Sequence, residues 1–170
     1  KDQFFLDYGG KKKHAVSIIY QSAIENKINP KFILTMLQKE QGLIENSNPE
    51  QKNYDWAVGY GLCDGCLLND PKIREFKGFG NQVDLLGKIF QKYFREPDTY
   101  RCRANTSCAI DYVEIISANK ATAALYNYTP HIDGNLLFYE LWQKYWGTDY
   151  PHGSLLQEIG SDTVWYINGI

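Results

Sequence analysis

Residues 33–44 read ILTMLQKEQGLI, and the reading of this run decides what kind of fold follows. Ile33, Met36, Leu37, Glu40 and Ile44 recur at the i, i+3, i+4, i+7, i+11 spacing of a core-facing helical stripe, while Lys31, Gln38, Lys39 and Glu45 fall largely outside it. The boundaries are signposted: Asn29 is placed to cap, Pro30 suits the first helical position because its missing N–H costs nothing there, and Gly42 follows the run. An acid on an apolar stripe faces protein or a cleft. Desolvation disfavours a charged carboxylate, so such a group can hold a proton near neutral pH and donate it, which is the profile of a general acid. The plainer alternative is a glutamate at the edge of the stripe, reaching solvent or paired with a lysine.

Working outward, helical signals dominate, and the chain reads as one mainly α domain. A first helix is expected from about Lys12 to Asn26, with Ala15, Ile18, Ile19 and Ala23 inward. Residues 46–80 carry Asn-Pro, Gly-Tyr-Gly and Asp-Gly signals, consistent with turns and a small hairpin. Helix returns at Gly80 with Val83, Leu86, Phe90, Tyr93 and Phe94 at helical spacing, and ends before Pro97. Asn119 then caps a helix containing Ala121 to Tyr126, and Asn135 is expected to cap a last one that stops at Gly147.

A chain of 170 residues with 44% hydrophobic and 22% charged residues suits one globular domain with a sizeable core. The net charge of -2 and a basic cluster limited to Lys11, Lys12 and Lys13 make nucleic acid a poor partner. No apolar run approaches the roughly 18 residues that cross a bilayer. The opening KDQFF lacks Met, and the ending TVWYINGI has strand composition followed by an Asn168-Gly169 turn. The expectation is an excised piece: a domain over residues 1–153, then a linker and the start of a truncated module over 154–170, whose strand pairs with something outside the chain.

The four cysteines form two local pairs, Cys63 with Cys66 and Cys102 with Cys108. Two short disulfides in an exported protein are the simplest account, the second closing a loop of about seven residues for roughly 2 kcal/mol. A four-thiolate zinc site is the rival; the wide second pair and the lack of an adjoining His count against it, and a thioredoxin-like motif lacks its βαβ setting. The three histidines, at 14, 131 and 152, are widely separated, so neither a metal cage nor a Cys-His nucleophile is supported, and His131 reads as structural or exposed. No metal or cofactor is expected. Among the aromatics, Tyr93, Trp142 and Tyr145 at helical spacing read as packing. Tyr60 lies between two glycines, where a backbone can approach a ligand, and Gln82 and Asn127 could offer their amides to an acetamido group; for each amide a structural role is an equal alternative.

Three segments in order, LTMLQKEQGLI, WAVGYGLCD and ATAALYNYTPHI, resemble the lysozyme-like superfamily, in particular soluble lytic transglycosylases and goose-type lysozymes, over about Lys12 to Gly147. The set is also similar to uncharacterised exported bacterial lysozyme-like domains. The resemblance implies a helical lysozyme-like domain with a small hairpin flanking a cleft, Glu40 as general acid and base, and Gly59, Tyr60, Gly61 and Leu62 in the hairpin. It implies that the Tyr126 hydroxyl faces the glutamate; Tyr60, Gln82, Asn127 and Tyr128 are candidate glycan contacts by their residue types and places in the chain. Departures touch the chemistry: Gln41 stands where a serine usually follows the glutamate, and Cys63-Asp64 replaces Met-Gln, so the hairpin glutamine has no equivalent. By resemblance to goose-type lysozymes, Asp55 and Asp64 become candidates for holding an attacking water. Inversion needs that second carboxylate about 6.5–9.5 Å from the acid, whereas the transglycosylase route uses one glutamate.

The implied activity is cleavage of the β-1,4 bond between N-acetylmuramic acid and N-acetylglucosamine in peptidoglycan, by a secreted or cell-surface monomer within a longer multi-module chain. An endo-N-acetylglucosaminidase and an inactive glycan-binding or surface module are the alternatives.

Overall fold

The computed structural model describes residues 3–62, 65, 67, 70–147, 155–157 and 164–166. The described residues are mainly helical, with small two-stranded antiparallel hairpins. The element opened above is helix α2, Pro30–Gln41, and its local signals act as read: Asn29 accepts a hydrogen bond from the Lys31 N–H at 2.9 Å, Pro30 opens the first turn, and Gly42 at φ +65° closes the last. Ile33, Thr35, Met36 and Leu37 are buried. Ile44 is not part of the stripe. It lies beyond Gly42, where the left-handed cap turns the chain away, and is 45% exposed.

Helix α1, Ala15–Glu25, buries Ile18, Ile19 and Ala23, but it begins later than its apolar period suggests. Lys12–His14 instead form strand β2, paired with β1, Phe4–Leu6, which puts Phe5 against Phe79 and Tyr54. Helix α5, Phe79–Arg95, lies against α1 and supplies Val83, Leu86 and Phe90 to the core. The approach is close because Gly87 has no side chain: a Cβ there would sit 2.6 Å from the Asn26 amide. Ser22 Oγ, also between these helices, donates to the Val83 carbonyl at 3.0 Å, so its burial is satisfied.

Residues 46–80 hold two short helices, α3 (Gln51–Asp55) and α4 (Pro71–Arg74), joined by turns. The hairpin expected there is absent among the described residues. After α5 and a 3₁₀ turn, Pro97–Thr99, hairpin β3 (Ser107–Ile110) with β4 (Val113–Ile116) turns over two residues, Asp111 and Tyr112, both at positive φ. Cys102 and Cys108 form a disulfide that ties this hairpin to the preceding loop. The Cys63–Cys66 pairing lies outside the described residues.

Helix α6, Lys120–Tyr128, is capped by Asn119 as its sequence suggests, with the Asn119 side chain accepting from the Thr122 N–H at 2.9 Å. Helix α7, Ile132–Trp146, starts three residues before the expected cap, because the cap comes from another element: Asp111 Oδ2 accepts from the Ile132 N–H at 2.8 Å. Asn135 is instead buried in the first turn, donating to the carbonyls of Thr129 and His131. Helix α7 covers α2, and Trp146 Nε1 donates to the buried Thr35 Oγ1 at 2.9 Å. Near the end of the chain, β6 (Val164–Tyr166) pairs with β5 (Leu155–Gln157). The strand composition of TVWY was therefore a true signal, but its partner is inside this chain and not beyond it. No helix among the described residues is long and apolar enough to cross a membrane.

Candidate active site

Glu40 occupies the last turn of α2, with its side chain 24% exposed. It opens on a cleft of about 550 Å³ whose other walls come from the 58–62 loop, Ile89 and Tyr93 of α5, and Tyr128 to His131 between α6 and α7. Gly59 lies directly opposite the carboxyl: a Cβ added there would be 3.5 Å from Glu40 Oε2, and its φ of +71° is a conformation that L side chains rarely adopt. The other oxygen is engaged. Glu40 Oε1 accepts from Lys39 Nζ at 2.5 Å, and Lys39 Nζ also donates to Thr129 Oγ1 at 2.9 Å. The lysine-paired alternative for Glu40 is thus present, together with an opening onto a cleft.

Two side chains shape the loop that faces Glu40. Gln82, fully buried, accepts from the N–H groups of Val58 (3.3 Å) and Tyr60 (3.0 Å) and donates to the carbonyls of Tyr60 (3.0 Å) and Phe76 (2.8 Å). Its donors and its acceptor are all consumed by backbone, so the expected contact between Gln82 and an acetamido group is corrected: this amide builds the cleft and has nothing left to offer a ligand. Tyr128 supplies the second tie, its hydroxyl donating to the Val58 carbonyl at 2.8 Å. Burial, then the nearby Glu40 carboxylate, push the Tyr128 phenol well above its ordinary value, so it stays a donor. Burial likewise pushes Tyr93 up to about 12. Tyr93, expected as packing alone, borders both the core and the cleft.

Tyr60 lines the cleft and meets Phe76 edge-on, with ring centroids 5.4 Å apart. Tyr126 does not. It borders a second, largely apolar cavity of about 810 Å³ between the start of α2, α5, α6 and α7, so the phenol expected to face Glu40 is that of Tyr128. This second cavity is the larger, but no carboxylate lines it among the described residues, whereas Glu40 lines the smaller cleft. Asn127 is also redirected: its Oδ1 accepts from Cys102 N–H and its Nδ2 donates to Cys102 O, both at 2.8 Å, which makes it a brace for the disulfide loop. Asp55 stands apart from the cleft lining, held by Lys77 at 3.2 Å and by Gln51. Asp64 lies outside the described residues.

His131, at the cleft edge, is oriented by Asp111, with Nδ1 3.0 Å from Oδ1. The Ile132 N–H, then the His131 ring, hold the Asp111 carboxyl below its usual range. Lys39 and Thr129 are the residues that the periodicity hides. Lys39 was assigned to the outer face, yet it follows the buried Met36 by three and the buried Thr35 by four, the offsets that share a helix face. Among the described residues no group of three or more His, Cys, Asp or Glu is placed to hold a metal ion.

Comparison of the chain with protein families, with curated proteins and with solved structures gives no match.

Proposed function

We propose that this chain is a lysozyme-like glycan-cleaving enzyme that cuts the β-1,4 bond between N-acetylmuramic acid and N-acetylglucosamine of peptidoglycan, with Glu40 as acid and then base. The observation that carries this reading is Glu40 Oε2 opening onto a cleft against a glycine whose missing side chain leaves room for a substrate atom. The tyrosines around it offer apolar faces to a sugar ring. The order of the glutamate, Gly-Tyr-Gly and Tyr-Asn-Tyr motifs supports the same assignment.

Glu40 is the sole carboxylate among the described lining residues, and Asp64, the candidate second carboxylate, lies outside them; the route written here uses the one glutamate. Glu40 gives its proton to the glycosidic oxygen, the C1–O bond breaks with its electron pair going to that oxygen, and the C6 hydroxyl of the muramic residue attacks C1. The hydroxyl proton passes to the Glu40 carboxylate, which restores the acid without consuming water. The Cys102–Cys108 disulfide is consistent with an exported protein.

The ion pair with Lys39 favours one second reading, a glycan-binding module in which Glu40 is merely a paired acid. Incubation with purified peptidoglycan separates the two. Soluble fragments lighter by one water are expected from the parent, with Glu40→Gln slower by about 10²–10⁴ yet still bound to the wall polymer. Fragments with reducing muramic ends would move the assignment to a hydrolase and reducing glucosamine ends to a glucosaminidase. Binding without release, or an undiminished Glu40→Gln, rejects the enzyme.

A further inference from the structure

We infer that Lys39 is a positioning residue for this chemistry, its ammonium clamping Oε1 of Glu40 so that Oε2 is the oxygen that exchanges the proton. The inference rests on the catalytic reading of Glu40 and adds to it a division of labour between the two carboxylate oxygens.

Neighbouring side chains on a helix leave the axis about 100° apart and do not normally meet. Lys39 and Glu40 meet because Lys39 is folded inward, with only 5% of its side chain exposed. A lysine this buried needs partners, since an unpaired ammonium out of water is costly. Its two acceptors are Glu40 Oε1 at 2.5 Å and Thr129 Oγ1 at 2.9 Å, one on its own helix and one at the C-cap of α6. The start of α7 completes the enclosure at Gly134, where an added Cβ would stand 3.8 Å from Lys39 Cε and 2.7 Å from Thr129 Cγ2. Three elements thus fix the ammonium, and the ammonium fixes one oxygen of the acid. Oε2 is left toward Gly59 and the cleft. Holding the carboxylate also steadies the charge that appears on Glu40 once its proton has left. A flexible carboxyl at the end of a helix loses rate through misplacement, and an error of 1 Å at a reacting group can cost about 10²-fold.

The test measures kcat and KM on soluble peptidoglycan fragments across pH for the parent, Lys39→Met, Thr129→Val and Glu40→Gln. Tyr60, Tyr93, Tyr128 and His131 also face the cleft and are unchanged in every variant. Lys39→Met frees Oε1 and with it the placement of Oε2, so kcat falls by about 10²-fold while KM changes little. Thr129→Val, which loosens the ammonium but leaves the ion pair, lowers kcat less. A Lys39→Met kcat equal to the parent's overturns the inference, and so does a rise in KM alone. If Lys39→Met does not melt cooperatively, Thr129→Val decides, and an unchanged kcat there overturns it. An active parent with a slow Glu40→Gln and an indifferent Lys39→Met rejects the clamp alone. An inactive parent, or a fully active Glu40→Gln, rejects the catalytic reading and the clamp with it.

Discussion

Gly59 turns its α-carbon toward Glu40 across the cleft, so that a single methyl group added there would lie 3.5 Å from Oε2. That distance is ordinary contact, and the space it fills is the space that the proposed reaction gives to a substrate oxygen. Gly59→Ala is expected to fold and to lose about 1–2 kcal/mol from the positive φ, with turnover falling well beyond what the stability change explains. Chemical denaturation alongside an initial-rate assay checks both. Gly61→Ala is expected to cost more, because its Cβ would overlap the Phe76 ring at 2.1 Å.

Gln82→Leu keeps the volume and removes four hydrogen bonds. Buried backbone groups of Val58, Tyr60 and Phe76 would be left without partners at about 1–3 kcal/mol each, so a loss of about 3 kcal/mol or more is expected in urea unfolding. A loss below about 1 kcal/mol would show that water replaces the amide.

Alkaline stability follows in part from the two raised phenols beside the cleft. Tyr93 and Tyr128 titrate higher when folded than in an unfolded chain, where tyrosine ionises near 10. The unfolded state therefore loses protons first. Stability is intact below about pH 10 and falls as pH rises through 10 to about 12 for Tyr93, with Tyr128 contributing in the same direction. Tyr128→Phe loses about 1 kcal/mol at neutral pH with the Val58 hydrogen bond, and its stability declines less steeply above pH 10. Equal slopes for the two proteins in thermal melts at pH 9–11 would contradict the assignment.

Mass mapping of the unreduced protein is expected to recover the Cys102–Cys108 link. Reduction should cost roughly 2 kcal/mol by the chain-entropy treatment of so short a loop. The same map tests Cys63 with Cys66, where a zinc-bound or free pair would appear as two alkylatable thiols after metal removal.

What the sequence revealed depended on how local each signal was. The ends of helix α2 are legible because Asn29, Pro30 and Gly42 act within one turn of themselves, although the stripe read from the sequence runs on to Ile44, past the cap. The start of α7 was misplaced because its cap, Asp111, sits in a hairpin twenty-one residues upstream of Ile132. Three-residue strands such as Lys12–His14 are too short to display a period of two, and the apolar helical spacing that follows absorbed them. In the cleft, Glu40 and Tyr60 stand out by pattern, whereas the sequence leaves Gln82 and Asn127 undecided, because an amide looks the same whether it serves a ligand or a backbone. Tyr126 and Tyr128 differ by about 200° around their helix, so a motif containing both names the helix and not the face. Lys39 escaped because a charged residue beside a stripe defaults to solvent, and only the packing of α6 and α7 closes over it.

Helix α6 ends with two consecutive side chains that reach in different directions: Asn127 grips the backbone of Cys102, and Tyr128 grips the backbone of Val58. The segment is a strut between a cystine-closed loop and the floor of the cleft. Neither loop can therefore be grafted or redesigned independently of the other. A protein engineer transplanting the 58–62 loop to alter what the cleft accepts would have to carry Tyr128 with it, and through Asn127 would inherit a dependence on the oxidation state of a cysteine pair that is no part of the cleft lining.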